Sequence, residues 1–486
     1  VGTSNTALGA NSALQNTTGA YNLALGTDSL RDNTTGDFNT AIGRAALQSN
    51  TTADSNIAIG RNAMYLNTTG TRNLAIGALA YDASDTENDN IAIGHGAMTT
   101  NTAGGTKNTA LGVYAMDALT SGDDNVGLGY AALGALNTGS ANVAVGNYAL
   151  DAHTSGDYNT AVGYNALTTN TTASSNAAVG ASALAANTTG DNNIALGRDT
   201  LAANTTGSAN VALGFNALVA NTTADDNVSI GSSSMITNTT GAGNVAVGRL
   251  ALYANTTGGN NVAIGIRALD ANTDGGGNVA LGYDALGVNT SGGSNCAAGY
   301  NAMDAHTSGD NNSAWGSHAL GASTTGANNS AIGFAAGSSV TTGANNTLIG
   351  NYAGTDSSPS NIVTASNRIV LGNNSVTNAH IKVDWTVTSD ARDKMNFASV
   401  PHGLSFVNDL QPFKFDFKKS RDDATPHGTT KYGFKAQDIL ALEGDNPIIV
   451  DNENEDSLSI TNSNLIPVLV KAIQELSAEI EILKAK

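Results

Sequence analysis

Proline is nearly absent from this chain of 486 residues: there are six, and all lie at or beyond Pro359. A long stretch without proline keeps every backbone N–H available as a donor, which stacked strands require. One cysteine, Cys296, excludes an intrachain disulfide framework. Aromatic residues make up only 5% of the chain, so a bulky globular core is excluded for most of its length. Basic residues are few as well. With 21 Lys and Arg against 40 Asp and Glu, the net charge of -19 lacks the cationic footprint that nucleic acid or an anionic membrane surface demands. No apolar run approaches the roughly 18 residues needed to cross a bilayer, so no membrane insertion is expected.

What is present is a metre. Asn5-Thr6-Ala7-Leu8-Gly9 returns as Asn22-Leu23-Ala24-Leu25-Gly26 and Asn39-Thr40-Ala41-Ile42-Gly43, and continues in steps of 17 to Gly350. One step, from Gly94 to Gly112, is 18. A fixed period of this length marks a solenoid. The fold class expected is mainly β: a parallel β-roll or β-solenoid of 17-residue repeats over 1–350.

Within a repeat, Thr6 and Leu8 should share one strand face and Ala7 the other, because strand side chains alternate. The larger residues are expected inside, leaving the alanine face to pack on other chains. A second apolar pair, Ala13-Leu14 in the first copy, is expected to form a second strand, and the Asn16-Thr17-Thr18-Gly19 type of turn closes the coil. Stacked asparagines should form a hydrogen-bonded ladder.

Several signals have plainer readings. The repeated Asn-Thr-Thr triplets match glycosylation sequons, but their place in coil after coil marks them as turns. Aspartates such as Asp37 and Asp157 lack the alternating glycine pattern of calcium-binding rolls. His153 and His306 replace the turn asparagine and read as turn variants. Nothing calls for a cofactor or a metal.

Composition shifts sharply near the end. Ten of eleven lysines lie at or beyond Lys382, and six of nine phenylalanines at or beyond Phe397. Residues 351–388 read as a linker with capping strands, including a stretched strand at Asn367–Gly372 and another over Ile381–Val387 in which Trp385 seals the roll. Residues 389–486 read as a separate α+β domain. Its last helix carries Ile466, Ile473 and Ile480 at one heptad position and Leu469, Leu476 and Leu483 at the other, the seam of a coiled coil. The plain alternative is an amphipathic helix packed on its own domain.

The core pentapeptide is similar to the head repeats of trimeric autotransporter adhesins, which are parallel β-rolls that trimerise. From Ser389 onward the chain resembles the intramolecular chaperone domain at the carboxyl end of phage endosialidases and tail fibres, the S74 peptidase family. The resemblance rests on Ser389-Asp390-Ala391-Arg392-Asp393-Lys394, on Phe413, Phe415 and Phe417, on Gly433 to Asp438, and on Leu465 to Leu476. It implies an autoproteolytic dyad of Ser389 and Lys394, cutting near Thr388, Ser389 and Asp390, and a homotrimer. The competing local reading is that Ser389 and Asp390 merely cap a helix starting at Ala391.

Together these readings give an expected phage tail fibre in the virion. It would be a homotrimer that binds a host cell-surface glycan or protein receptor and joins other tail proteins through a missing amino-terminal segment. A bacterial surface adhesin and a polysaccharide-degrading tailspike are the alternatives.

Overall fold

The computed structural model describes residues 2–101, 104–377, 379–380, 382, 389–418, 423–445, 447–452 and 458–485. The expected capping strand over 381–387, with Trp385, and residue Thr388 lie outside the described residues. Two compact units emerge: Val1–Asn351 with Ile362–Ile369, and Tyr352–Asn361 with Val370–Lys486. The segment expected as a linker is thus shared between them.

In the first unit each coil contributes one three-residue strand, from β1 (Thr6–Leu8) through β21 (Thr347–Ile349), and β22 (Ile369–Leu371) completes a 22-stranded sheet. Pairing is parallel and in strict register: Ala7 lies opposite Ala24, and Ala144 opposite Ala161. The repeat therefore places like on like, at about 4.8 Å per coil. The stretched strand expected at Asn367–Gly372 is present, and Thr347 N–H donates to Arg368 C=O at 2.8 Å.

Two expectations about the coil are corrected. The strand alanine points inward and is fully buried, as at Ala58, Ala144 and Ala212, while the flanking aliphatics point out. Ile57, Leu196 and Ile264 keep 40%, 45% and 43% of their surface exposed. The reason is volume: a coil of 17 residues has room inside for Ala144, Ala149 and Leu150, all buried, and not for two more branched chains. The second apolar pair is also no strand. Leu150 sits in a turn at φ 51°, and Leu47 and Leu184 do the same at 51° and 52°. This left-handed conformation is unusual for leucine, and burial of the side chain offsets its cost.

Two asparagine ladders bind the coils. Ahead of each strand, Asn39 N–H donates to Asn22 Oδ1 at 2.8 Å while Asn39 Nδ2 donates to Ala53 C=O at 2.8 Å. In the turn, Asn50 Nδ2 donates to Asn33 Oδ1 at 2.8 Å and to Ala53 C=O at 3.1 Å. Each closing glycine has a φ that a side chain tolerates poorly; Gly146 stands at 132°, and a Cβ there would meet Gly163 O at 2.5 Å.

The 18-residue step is absorbed in one turn. Asn101 Nδ2 reaches Gly105 C=O across four residues, where regular coils span three. Beside it Tyr81 fills the position of the buried leucine, and its hydroxyl accepts from Asn90 Nδ2 at 2.6 Å and Asn101 Nδ2 at 3.1 Å.

The second unit is α+β. It contains α1 (Leu404–Asp409), a hairpin of β23 (Phe413–Lys418) and β24 (Pro426–Gly433), α2 (Ala436–Glu443), a short pair β25 (Val450–Asp451) and β26 (Ser459–Ile460), and α3 (Asn462–Lys484). Phe406, Ile439, Ile449, Val450, Leu465 and Val468 form its core.

Candidate functional site

The site begins with a single tight turn. Asp390 caps a three-residue 3-10 helix, Ala391–Asp393, its Oδ1 accepting from Arg392 N–H at 2.9 Å. The turn closes with Lys394 N–H donating to Ala391 C=O at 3.3 Å. Folding back in this way brings Lys394 beside Ser389: Nζ lies 2.6 Å from Oγ. Cap and pair coexist, because Asp390 supplies the cap and leaves Ser389 to the lysine.

The Asp390 carboxylate, next to Ser389 in the chain, is engaged by Arg392. Asp390 is clasped by Arg392, whose Nε lies 3.1 Å from each carboxylate oxygen and whose Nη2 is 2.5 Å from Oδ2. Those bonds hold the Asp390 carboxyl below its usual range and take up its charge. Ser389 and Lys394 are both exposed. Such a pair has the parts of a nucleophile and its base: a hydroxyl and an amine within hydrogen-bond reach of it.

The last helix carries a buried stripe and an exposed apolar one side by side. Leu465, Val468 and Ala472 are buried, and α3 packs on α1, where Glu475 Oε2 accepts from Leu404 N–H at 2.7 Å. Ile466, Leu469, Ile473, Leu476, Ile480 and Leu483 form a stripe that adjoins this buried face and stays exposed, Ile466 at 60% and Ile473 at 66%. The structure thus has the helix packed on its own domain, with the heptad residues left exposed beside that contact.

A loop anchor was not foreseen from the sequence. Glu443 at the end of α2 accepts from the N–H groups of Ile448, Ile449 and Val450 at 2.8, 2.7 and 3.0 Å. A lone glutamate at a helix end gives no sequence signal that it will turn back onto the loop that follows.

By fold, then, this is a parallel β-solenoid of 17-residue coils joined to a small α+β domain that opens with a preformed Ser–Lys pair. Residues 389–445 match the family model for the chaperone of endosialidase. The match opens at Ser389 and takes in the pair, the hairpin and α2, so this segment is similar to the chaperone domains of that family. No curated protein matches the chain.

Proposed function

We propose that the chain is the fibre subunit of a phage tail, assembled as a homotrimer by its carboxyl-terminal chaperone domain, which then cuts itself away. The observation that carries this reading is the Ser389–Lys394 contact of 2.6 Å at the first residue of the chaperone match. Oγ of Ser389 adds to the carbonyl carbon of residue 388 while Nζ of Lys394, as the free amine, takes the hydroxyl proton. That proton passes to the Ser389 nitrogen as the C–N bond breaks, leaving an ester that water hydrolyses. Desolvation favours the neutral amine. In one copy the pair is open to water, so packing of the other copies around it is the event that switches the base on.

Trimerisation has two supports. The heptad face of α3 is apolar and bare, and the outward strand face of the solenoid is apolar along its whole length. The residue before each closing glycine is Leu, Ile or Val in 19 of 21 coils, and neither outward strand position is charged in any coil. Exposed apolar stripes of that extent mark association. Only a partner with the same rise per coil can follow such a stripe, which points to further copies of this chain. Parallel stacking of this kind folds slowly and exposes strand edges on the way, and a chaperone that holds the chains in register answers that difficulty. Host attachment then falls to the solenoid.

The test is the intact mass and native oligomer size of the expressed chain beside Ser389→Ala and Lys394→Ala. A wild-type trimer divided at residue 389, with both variants uncut, is the expected result. An uncut wild type removes the dyad from the reading, and a monomer removes the fibre.

A further inference from the structure

The corner that follows each closing glycine differs from every other line along the solenoid. Its first two positions hold eight of the fifteen aromatic residues in 1–350 and five of the seven arginines. In coils six to ten the rings form an unbroken column: His95, Tyr114, Tyr130, Tyr148 and Tyr164, with successive centroids 5.5, 6.2, 5.2 and 6.3 Å apart. Neighbouring rings stand at 68° to 86° to one another. A second column runs through Tyr283, Tyr300, His318 and Phe334, with centroids 5.4, 5.5 and 6.2 Å apart. These rings are open to solvent: Tyr130 keeps 42% of its surface exposed, Tyr164 56% and Tyr300 53%.

Aromatic columns of this kind do not serve the stack itself. The coils between them hold Ala181, Ser232 and Arg249 at the same corner and keep the same strand register. They do not follow the rule of an assembly surface either. The outward strand stripe keeps one chemistry in nearly every coil, whereas the corner rings gather in two columns, with Phe215 alone between them under the Arg198 guanidinium. A feature that varies locally on an unvarying scaffold belongs to recognition. Its shape limits the ligand. Each column is one ring wide, the first about 19 Å long and the second about 14 Å at the coil spacing, far below the roughly 800 Å² that each partner of a stable protein complex contributes. An extended chain one unit wide fits such a strip. The charge limits it further, since a net -19 repels a polyanion.

We propose that the two aromatic columns are binding sites for a neutral linear glycan laid along the solenoid axis, its sugar rings stacked on Tyr114, Tyr130 and Tyr148 in one block and on Tyr283 and Tyr300 in the other. The apolar faces of sugar rings pack on aromatic faces, and the tyrosine hydroxyls meet sugar hydroxyls at the rim. In the first block the perpendicular neighbours offer a face at alternate coils, a spacing suited to a chain whose successive sugars turn over; in the second, Tyr283 and Tyr300 lie parallel at 12° and present their exposed edges and hydroxyls together. This proposal rests on the receptor-binding part of the reading above and assigns it a place and a ligand class.

The experiment titrates cello-, manno- and xylo-oligosaccharides into the full chain by calorimetry and tyrosine fluorescence, with native mass recorded on every sample. Wild type is compared with Tyr130→Ala/Tyr148→Ala, Tyr283→Ala/Tyr300→Ala and, as a control away from the corner, Tyr158→Ala. At least one glycan should bind wild type, each double variant should weaken that binding about tenfold or more, and Tyr158→Ala should leave it unchanged. Absence of binding by all three glycans overturns the proposal, as does equal weakening by Tyr158→Ala. A double variant that loses its oligomer assigns the rings to contacts between copies and overturns it too. A wild type that binds glycan as a monomer would sink the trimeric fibre and leave the columns standing.

Discussion

His153 shows how a single residue can be fitted into a ladder built for another. Its Nε2 donates to Gly156 C=O at 2.7 Å, and its Nδ1 accepts from Asn170 Nδ2 at 3.2 Å. Asn170 can only donate from that atom, so the ring must be neutral with its proton on Nε2. Burial pushes the His153 pKa down, against smaller opposing effects from Gly156, Asn170 and Asp157, and the same holds for His306. The unfolded chain takes up these protons below its ordinary value of 6.5 and the folded chain does so only at lower pH. Stability contributed here is complete above about pH 6.5 and is lost as pH falls through the window below it. The doubly substituted His153→Asn/His306→Asn protein, with asparagines restored to the ladder, should lose that part of the acid sensitivity. Urea midpoints at pH 7.5 and pH 5 check this, and an unchanged difference between the two pH values would sink it.

At the scale of the element, the second unit is held less by regular pairing than by carboxylates that end helices. Glu475 of α3 caps the start of α1, which has no side-chain cap of its own. Glu443 gathers three consecutive N–H groups of the loop leading into β25. Hydrogen bonds to a charged acceptor contribute about 1.5–3 kcal/mol each, and removal leaves the donors to compete for water. Glu443→Ala should therefore destabilise this unit by about 2 kcal/mol or more, with Glu443→Gln in between. Hydrogen exchange of the Ile448, Ile449 and Val450 amides is the local readout: it should quicken in the variant while the strand amides of the solenoid stay protected.

At the scale of the whole molecule, two apolar surfaces are exposed in the single chain, one along the solenoid and one on α3, and the proposed trimer would cover both. They make different demands on mutation. Ile473→Asp places a charge on the bare heptad face and should reduce the assembly to monomers without unfolding the domain. Val468→Asp places it in the core beside Phe406 and Ile439 and should unfold the second unit itself. Native mass and circular dichroism together separate the two, and an intact trimer in Ile473→Asp would remove α3 from the interface.

The sequence by itself determined the solenoid, its period and the like-on-like register of its strands. A 17-residue repeat can stack in only one register without setting unlike side chains over one another. The resemblance singled out Ser389 and Lys394, and a single tight turn brings their side chains within hydrogen-bond reach. Which face of the strand lies inside was decided only by the tertiary structure. Alternation says that Ala144 opposes Val143 and Val145; it does not say how much room the coil encloses, and that room admits alanine and one turn leucine. The left-handed turn of Leu150, the tyrosine that repairs the ladder at the long coil, and the joining of rings from separate coils into columns have the same origin. They depend on what lies one coil above and below, a neighbour 17 residues away that no local pattern records.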